Sequence, residues 1–119
     1  MAPETRELAR GEWKPYFDDF SRDLGPLLAT VEVAGTDIGA QIEADRLILT
    51  GISYDDRDDI VVIALDAEGD LTEEVEHMVS QPQKIYVADG DDGSTTIDID
   101  DAEGHKTLVR LEPVPRLEP

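Results

Sequence analysis

The sequence predicts an α+β domain in which one N-terminal helix packs on a strongly bent antiparallel sheet, either open or closed into a small barrel. Three observations predict it. A single apolar stripe of helical period lies near the start, runs of period two fill most of residues 27–111, and hairpin-type turn residues separate those runs at short, regular intervals. A chain of 119 residues fits one domain, and a domain of that size buries roughly two-thirds of the surface its unfolded form exposes.

The helix is read from Trp13, Phe17, Phe20 and Leu24, whose spacings of four, three and four residues place them on one face, with Asp18, Asp19 and Arg22 on the wet side. Pro15 is tolerated only in a first turn, and Gly25-Pro26 is a stop signal, so the helix spans about Lys14 to Leu24. From Leu27 the period becomes two. Ala29, Val31 and Val33 alternate with Thr30 and Glu32, and Ile38, Ala40, Ile42 and Ala44 alternate with Gly39, Gln41 and Glu43, predicting two strands joined by a turn over Ala34-Gly35-Thr36-Asp37. Leu47 to Tyr54 reads as a third strand with Gly51 at a bulge or a close backbone approach, followed by the charged turn Asp55 to Asp59.

Ile60 to Leu65 is apolar without alternation, as in a strand covered on both faces. Over Asp70 to Ser80 a helical face of Leu71, Val75, Met78 and Val79 competes with a strand face of Val75, His77 and Val79, and the strand is the reading adopted. Gln83 to Ala88, Ser94 to Asp100 and Lys106 to Leu111 complete the sheet, with turns at Asp92-Gly93 and Glu103-Gly104. Residues 1–111 thus form the domain, and Pro113, Pro115 and Pro119 turn residues 112–119 into an extended tail without regular pairing.

Charge sets the functional expectations. Asp and Glu number 29 against 10 Lys and Arg, a formal net charge of -19, and Lys14, Lys84 and Lys106 are the only lysines. Self-repulsion of this size destabilises a compact state unless salt screens it, and at about 1 M salt the Debye length is only about 3 Å. Carboxylates spread along the whole chain fit adaptation to concentrated salt, whereas an acidic face built for a basic partner, or imitating a DNA backbone, would concentrate them. Direct nucleic-acid binding is disfavoured. With no cysteine, disulfides, thiolate metal sites and thiol nucleophiles are excluded. Met1 to Arg10 lacks an apolar leader core, and no stretch approaches the roughly 20 apolar residues of a membrane span, so a soluble cytoplasmic protein is expected.

Glu12-Trp13 followed by Phe17 and Ser21-Arg22, the run from Gly35 through Ala44, Leu49-Thr50-Gly51-Ile52, and Pro82 before Ile85-Tyr86-Val87 together resemble a family of small prokaryotic proteins known only as a domain of unknown function. The resemblance extends from about Thr5 to Leu111 and implies one domain. It carries no catalytic or binding residue.

The aspartate clusters invite calcium, but the EF-hand register fails: counting from Asp89 puts Gly93 and Ser94 where a ligand and then a glycine belong, and counting from Asp98 puts Ala102 and Glu103 there. Asp55, Asp56, Asp58 and Asp59 are accounted for by their turn. His77 and His105 are the only imidazoles; His105 reads as a solvated loop residue and His77 as half-buried on a strand face. Ser53 or Ser80 with His77 and an aspartate would make a nominal triad, yet no Gly-x-Ser-x-Gly elbow accompanies it. Phosphate-binding glycine motifs are also missing, and Gly90-Asp91-Asp92-Gly93 would repel phosphate. Trp13, Tyr16, Phe17 and Phe20 read as the contact between helix and sheet, and an exposed apolar groove beside the helix would favour a protein-binding role. The expectation is a non-enzymatic binding or accessory domain with no catalytic, cofactor-binding or metal residues assigned, and with partner and oligomeric state unspecified. Its alternatives are an acidic interaction module for a basic protein, or a DNA mimic, and a divalent-cation-binding protein.

Overall fold

The structure, a computed structural model, describes residues 5–66 and 74–114. Strand β1 (Thr5–Leu8) and a short 3-10 turn (Arg10–Glu12) lead into helix α1 (Trp13–Arg22), followed by β2 (Leu27–Gly35), β3 (Gly39–Asp55), β4 (Ile60–Asp66), β5 (Glu74–Ser80), β6 (Pro82–Asp89), β7 (Thr95–Asp101) and β8 (Lys106–Pro113). All eight strands belong to one sheet in the order β1-β6-β7-β8-β2-β3-β4-β5, and every pairing is antiparallel. The predicted α+β class with one N-terminal helix on an antiparallel sheet is observed; the closed barrel is not. Among the described residues β5 pairs only with β4, and β1 only with β6.

The bend has a covalent cause. β5 lies at one margin of the sheet and β6 next to the other, yet Gln81 alone connects them. Two peptide steps reach at most about 7 Å, so the sheet must curl until its margins approach at that end. Gln81 adopts the left-handed conformation, φ 53°. Its N–H donates to the Asp59 carbonyl at 2.8 Å, and its own carbonyl accepts the Ala102 N–H at 3.1 Å, so one residue joins the β3–β4 turn to the β7–β8 turn.

β3 is longer than expected because the two predicted strands 38–44 and 47–54 are one. β2 opposes its first part and β4 its second, with register shifts where Thr30 faces Asp45 and Arg46 and where Glu43 is left over between Ala44 and Ile42. Arg46 takes φ 55° there, and its N–H reaches the Thr30 hydroxyl. These are bulges, which add twist and redirect side chains. A third shift falls between Leu49 and Gly51, at the bulge that Gly51 predicts. Past Ile48, β3 outruns β2 and would expose a bare edge. Helix α1 covers it: the Ser21 hydroxyl donates to the Ile52 carbonyl at 2.6 Å and accepts the Ile52 N–H at 3.0 Å.

The helix ends at Arg22, two residues short of the predicted boundary, and keeps Pro15 in its first turn. Trp13 and Phe17 are buried in one core with Leu49, Ile52, Tyr54, Ile63 and Leu65, whereas Tyr16, Phe20 and Leu24 remain half-exposed. Trp13 meets Tyr54 edge-on at 5.2 Å, donates through Nε1 to the Leu8 carbonyl, and carries the Arg10 guanidinium on its face. Inward positions of the remaining strands, including Val31, Val61, Ile85, Ile97, Ile99, Val109 and Leu111, complete the core.

One strand is added that the sequence does not announce, and two further expectations are corrected. Thr5–Leu8 forms a strand on β6, because Leu8 gains burial beside Ile85. Pairing continues past residue 111, since Glu112 and Pro113 oppose Leu28 and Leu27; Pro113 is tolerated at the strand end, where no further N–H is needed. The turn after β2 is Thr36 to Ile38, because Gly35 pairs with Gly39. The ambiguous stretch is a strand over Glu74–Ser80, while its first four residues and the tail beyond Val114 lie outside the described residues.

Two consequences are measurable by chemical denaturation. Gln81→Gly, which removes the left-handed strain, leaves stability unchanged or raises it, whereas β-branched Gln81→Val lowers it by about 1–2 kcal/mol. Ser21→Ala, which strips the partner from both backbone groups of Ile52, costs about 1–3 kcal/mol.

Candidate functional site: a histidine cleft and an apolar groove

The imperfect closure leaves a half-open cleft of about 300 Å³ beside β5, bounded by the β2–β3 hairpin and the β7–β8 turn. It wraps around the edge of β5, because residues from both of its alternating faces line it: His77 and Val79 from one, Met78 and Ser80 from the other. Both imidazoles of the chain reach this cleft. The hairpin contributes Glu43, aimed there by the bulge that leaves it without a cross-strand partner.

His105 is not the solvated loop residue that its turn position suggests. Its side chain is 19% exposed, and its Nε2 lies 2.9 and 3.1 Å from the two carboxylate oxygens of Asp37 across the hairpin. That bond holds the Asp37 carboxyl below the usual aspartate value. Gly35 makes the seat: a Cβ there would stand 2.5 Å from His105 Cδ2 and 2.9 Å from Asp37 Oδ1. The backbone N–H of His105 donates to Asp101 Oδ1, which also receives the Glu103 N–H, so the turn carrying the imidazole is pinned by its own aspartate.

His77 is half-buried, as its strand position predicts. Burial pushes its imidazole below the ordinary value, and the carboxylate of Glu43 opposes that shift. Neither serine completes a triad. The register places His77 in one row with Ile63 and Ile52, and Ser53 in the adjoining row with Val62 and Met78, on the opposite face of the sheet. Ser80 shares the cleft but stands three positions from His77, again on the opposite face.

The aspartate clusters serve their turns. Asp55 Oδ1 accepts the N–H groups of Arg57 and Asp58, Asp59 accepts the Tyr54 hydroxyl at 2.7 Å, and Asp92 accepts both the N–H and the hydroxyl of Ser94, which lowers the carboxyl pKa of Asp92. Lys106 bridges Asp98 and Asp100 on β7. Among the described residues, no group of three or more His, Asp and Glu side chains is arranged to hold a metal ion, and no helix is long and apolar enough to cross a membrane.

A second concavity, of about 350 Å³, runs beside α1. Tyr16, Phe20, Leu24 and Leu27 form its apolar walls, and Asp19 and Asp23 stand at its rim. Tyr16 stacks on Phe20 with centroids 6.2 Å apart, while Arg22 holds Asp19 at 2.7 Å from outside the groove. The aromatic stripe read as one contact face therefore divides: Trp13 and Phe17 enter the core, and Tyr16 and Phe20 build a surface wall.

Comparison with known proteins agrees with the resemblance read from the sequence. A family model described as "Family of unknown function (DUF5335)" matches residues 4–119. An "Uncharacterized protein" of Aquifex aeolicus (strain VF5) is 33% identical over 109 residues, covering 92% of this chain and 93% of that one. No solved structure matches.

The cleft makes two predictions. Unfolding exposes His77 to water, so the unfolded chain takes up a proton as pH falls through about 6.5 while the folded chain resists it. The stability tied to neutral His77 is therefore whole above that value and is lost as pH falls below it toward the folded-state pKa. His77→Gln flattens the dependence of the denaturation midpoint on pH between about 7 and 5.5. Gly35→Ala forces the His105 ring off its seat, costs about 1–3 kcal/mol, and shifts the His105 side-chain resonances in NMR spectra.

Proposed function

The chain belongs to the DUF5335 family of unknown function, and from that premise we propose that it is a small, salt-adapted, non-enzymatic accessory domain of the cytoplasm that docks a protein partner through the groove beside α1. The observation that carries this reading is the composition of that groove: four large apolar side chains, Tyr16, Phe20, Leu24 and Leu27, half-exposed, with two carboxylates at their rim. Apolar surface of this kind gains free energy when covered. The rim carboxylates, on a chain of net charge -19, select a covering segment whose apolar residues are flanked by Lys or Arg. An amphipathic helix laid into the groove meets both requirements.

The spread of carboxylates over separate turns, at Asp55 to Asp59, Asp89 to Asp92 and Asp101 to Glu103, supports solvent adaptation over imitation of a phosphate backbone. The way those same carboxylates are occupied with turn N–H and hydroxyl groups supports structural roles for them over calcium binding.

Thermal unfolding followed by circular dichroism over a potassium chloride series tests the salt component. The midpoint climbs steadily into the molar range, and millimolar calcium chloride adds little. Full stability in dilute buffer refutes salt adaptation. An amphipathic Leu/Lys helical peptide, titrated into the protein at a salt concentration where it is folded, tests the groove. Leu24→Glu weakens that binding by about tenfold, near 1.4 kcal/mol, and equal binding by the variant refutes the assignment.

A further inference from the structure

The free margin at β5 supports a second recognition mode, independent of the groove beside α1. Among the described residues this strand of seven pairs on one side only, with β4. An uncovered edge presents a row of backbone N–H and C=O groups that can template another strand. The opposite margin, β1, is four residues long and offers much less of such a ladder. Along the edge of β5, Glu74, Glu76 and Met78 alternate on one face, all exposed, with Met78 at 53%. His77 and Val79 on the other face also line the cleft that wraps this edge, where Glu43, Asp101 and Glu103 add carboxylates.

These side chains determine the occupant. A second copy of the chain, adding antiparallel along the whole of this edge, would set Glu74 opposite Ser80 and Glu76 opposite Met78 of its twin and bring the two Glu76 carboxylates into diagonal positions, where long like-charged side chains still reach each other. At low salt two chains of net charge -19 repel each other as well. Nucleic acid is repelled for the same reason. A strand carrying Lys or Arg gains instead on both faces: one set of its side chains lies against Glu74 and Glu76, and the alternate set points toward Glu43, Asp101 and Glu103. An apolar residue opposite Met78 covers the exposed thioether. We propose that the edge of β5, together with the histidine cleft, takes up an extended basic segment of another protein by strand addition. Backbone hydrogen bonds supply most of the affinity, and in concentrated salt the carboxylates act only at contact range, setting register and excluding acidic sequences.

The probe is a Lys-Val repeat peptide long enough to span β5, titrated into isotope-labelled protein at a salt concentration where it is folded. Its comparison is the same peptide with alternate amide nitrogens methylated, which keeps the charge but cannot complete a ladder. The Lys-Val peptide shifts the amide resonances of Glu74 to Ser80, the methylated peptide binds about tenfold or more weakly, and the double variant Glu74→Lys with Glu76→Lys loses a similar factor. The circular dichroism spectrum of the variant, and its retained binding of the Leu/Lys helical peptide at α1, separate a lost edge site from a lost fold. Equal binding of the methylated peptide, shifts confined to the α1 groove, unchanged affinity of the double variant, or no shift at millimolar peptide would each overturn the proposal. Failure of the Leu/Lys peptide alone removes the groove reading and leaves this one standing.

Discussion

A single residue between β5 and β6 governs the shape of this molecule. Strands at opposite ends of the pairing order would sit far apart in a flat sheet, and Gln81 does not permit that distance. Curling is thus imposed by chain connectivity before any side chain contributes, and the left-handed backbone at Gln81 is the local cost. The backbone hydrogen bonds of that residue to Asp59 and Ala102 offset the cost by joining two turns that are distant in sequence. Because only one end of the sheet is drawn together, no ladder closes the seam among the described residues. The cleft with both histidines opens between β5, the β2–β3 hairpin and the β7–β8 turn.

A curled but open sheet must deal with its edges, and this one does so in different ways. Where β3 outruns β2, the helix serves as the cover: one serine hydroxyl replaces a missing strand at Ile52 while Trp13 and Phe17 fill the space beneath. At β5 no strand pairs with the outer edge among the described residues, and carboxylates guard the edge instead. The helix is therefore asked to do two things. Its inner face completes the core, and the flanking residues Tyr16 and Phe20, at the margin of that face, are left to shape the surface.

What could be read from the sequence was whatever depends on near neighbours. The helix declares itself through four apolar residues at helical spacing, and β2, β4, β6, β7 and β8 through apolar alternation or runs bounded by turn residues. Where the decisive partner is remote, the signal vanishes. Thr5–Leu8 has no strand-like composition and becomes a strand because β6 lies beside it. Asp45-Arg46 looks like an interruption, and only pairing with Thr30 reveals a bulge inside one long strand. His105 looks like any polar residue after Gly104, since the glycine that seats it and the aspartate that binds it lie about 70 residues earlier in the chain. Sheet curvature belongs to the same class, because it follows from pairing order. The sequence raises an apolar groove beside α1 only as a feature that would favour protein binding, and the residues that form it follow from how the helix packs.

Trp13 is the chain's only tryptophan, and its ring is clamped between Tyr54 on β3, the Leu8 carbonyl and the Arg10 guanidinium. The molecule therefore carries its own optical reporter at the joint between helix and sheet. Indole emission senses whether α1 is seated, while far-ultraviolet dichroism is dominated by the eight strands. Coincidence of the two signals during unfolding would mark helix and sheet as one cooperative unit. An earlier change in emission would mean that the cover over β3 lifts while the curled sheet persists, a local opening that bares the Ile52 edge without loss of the fold.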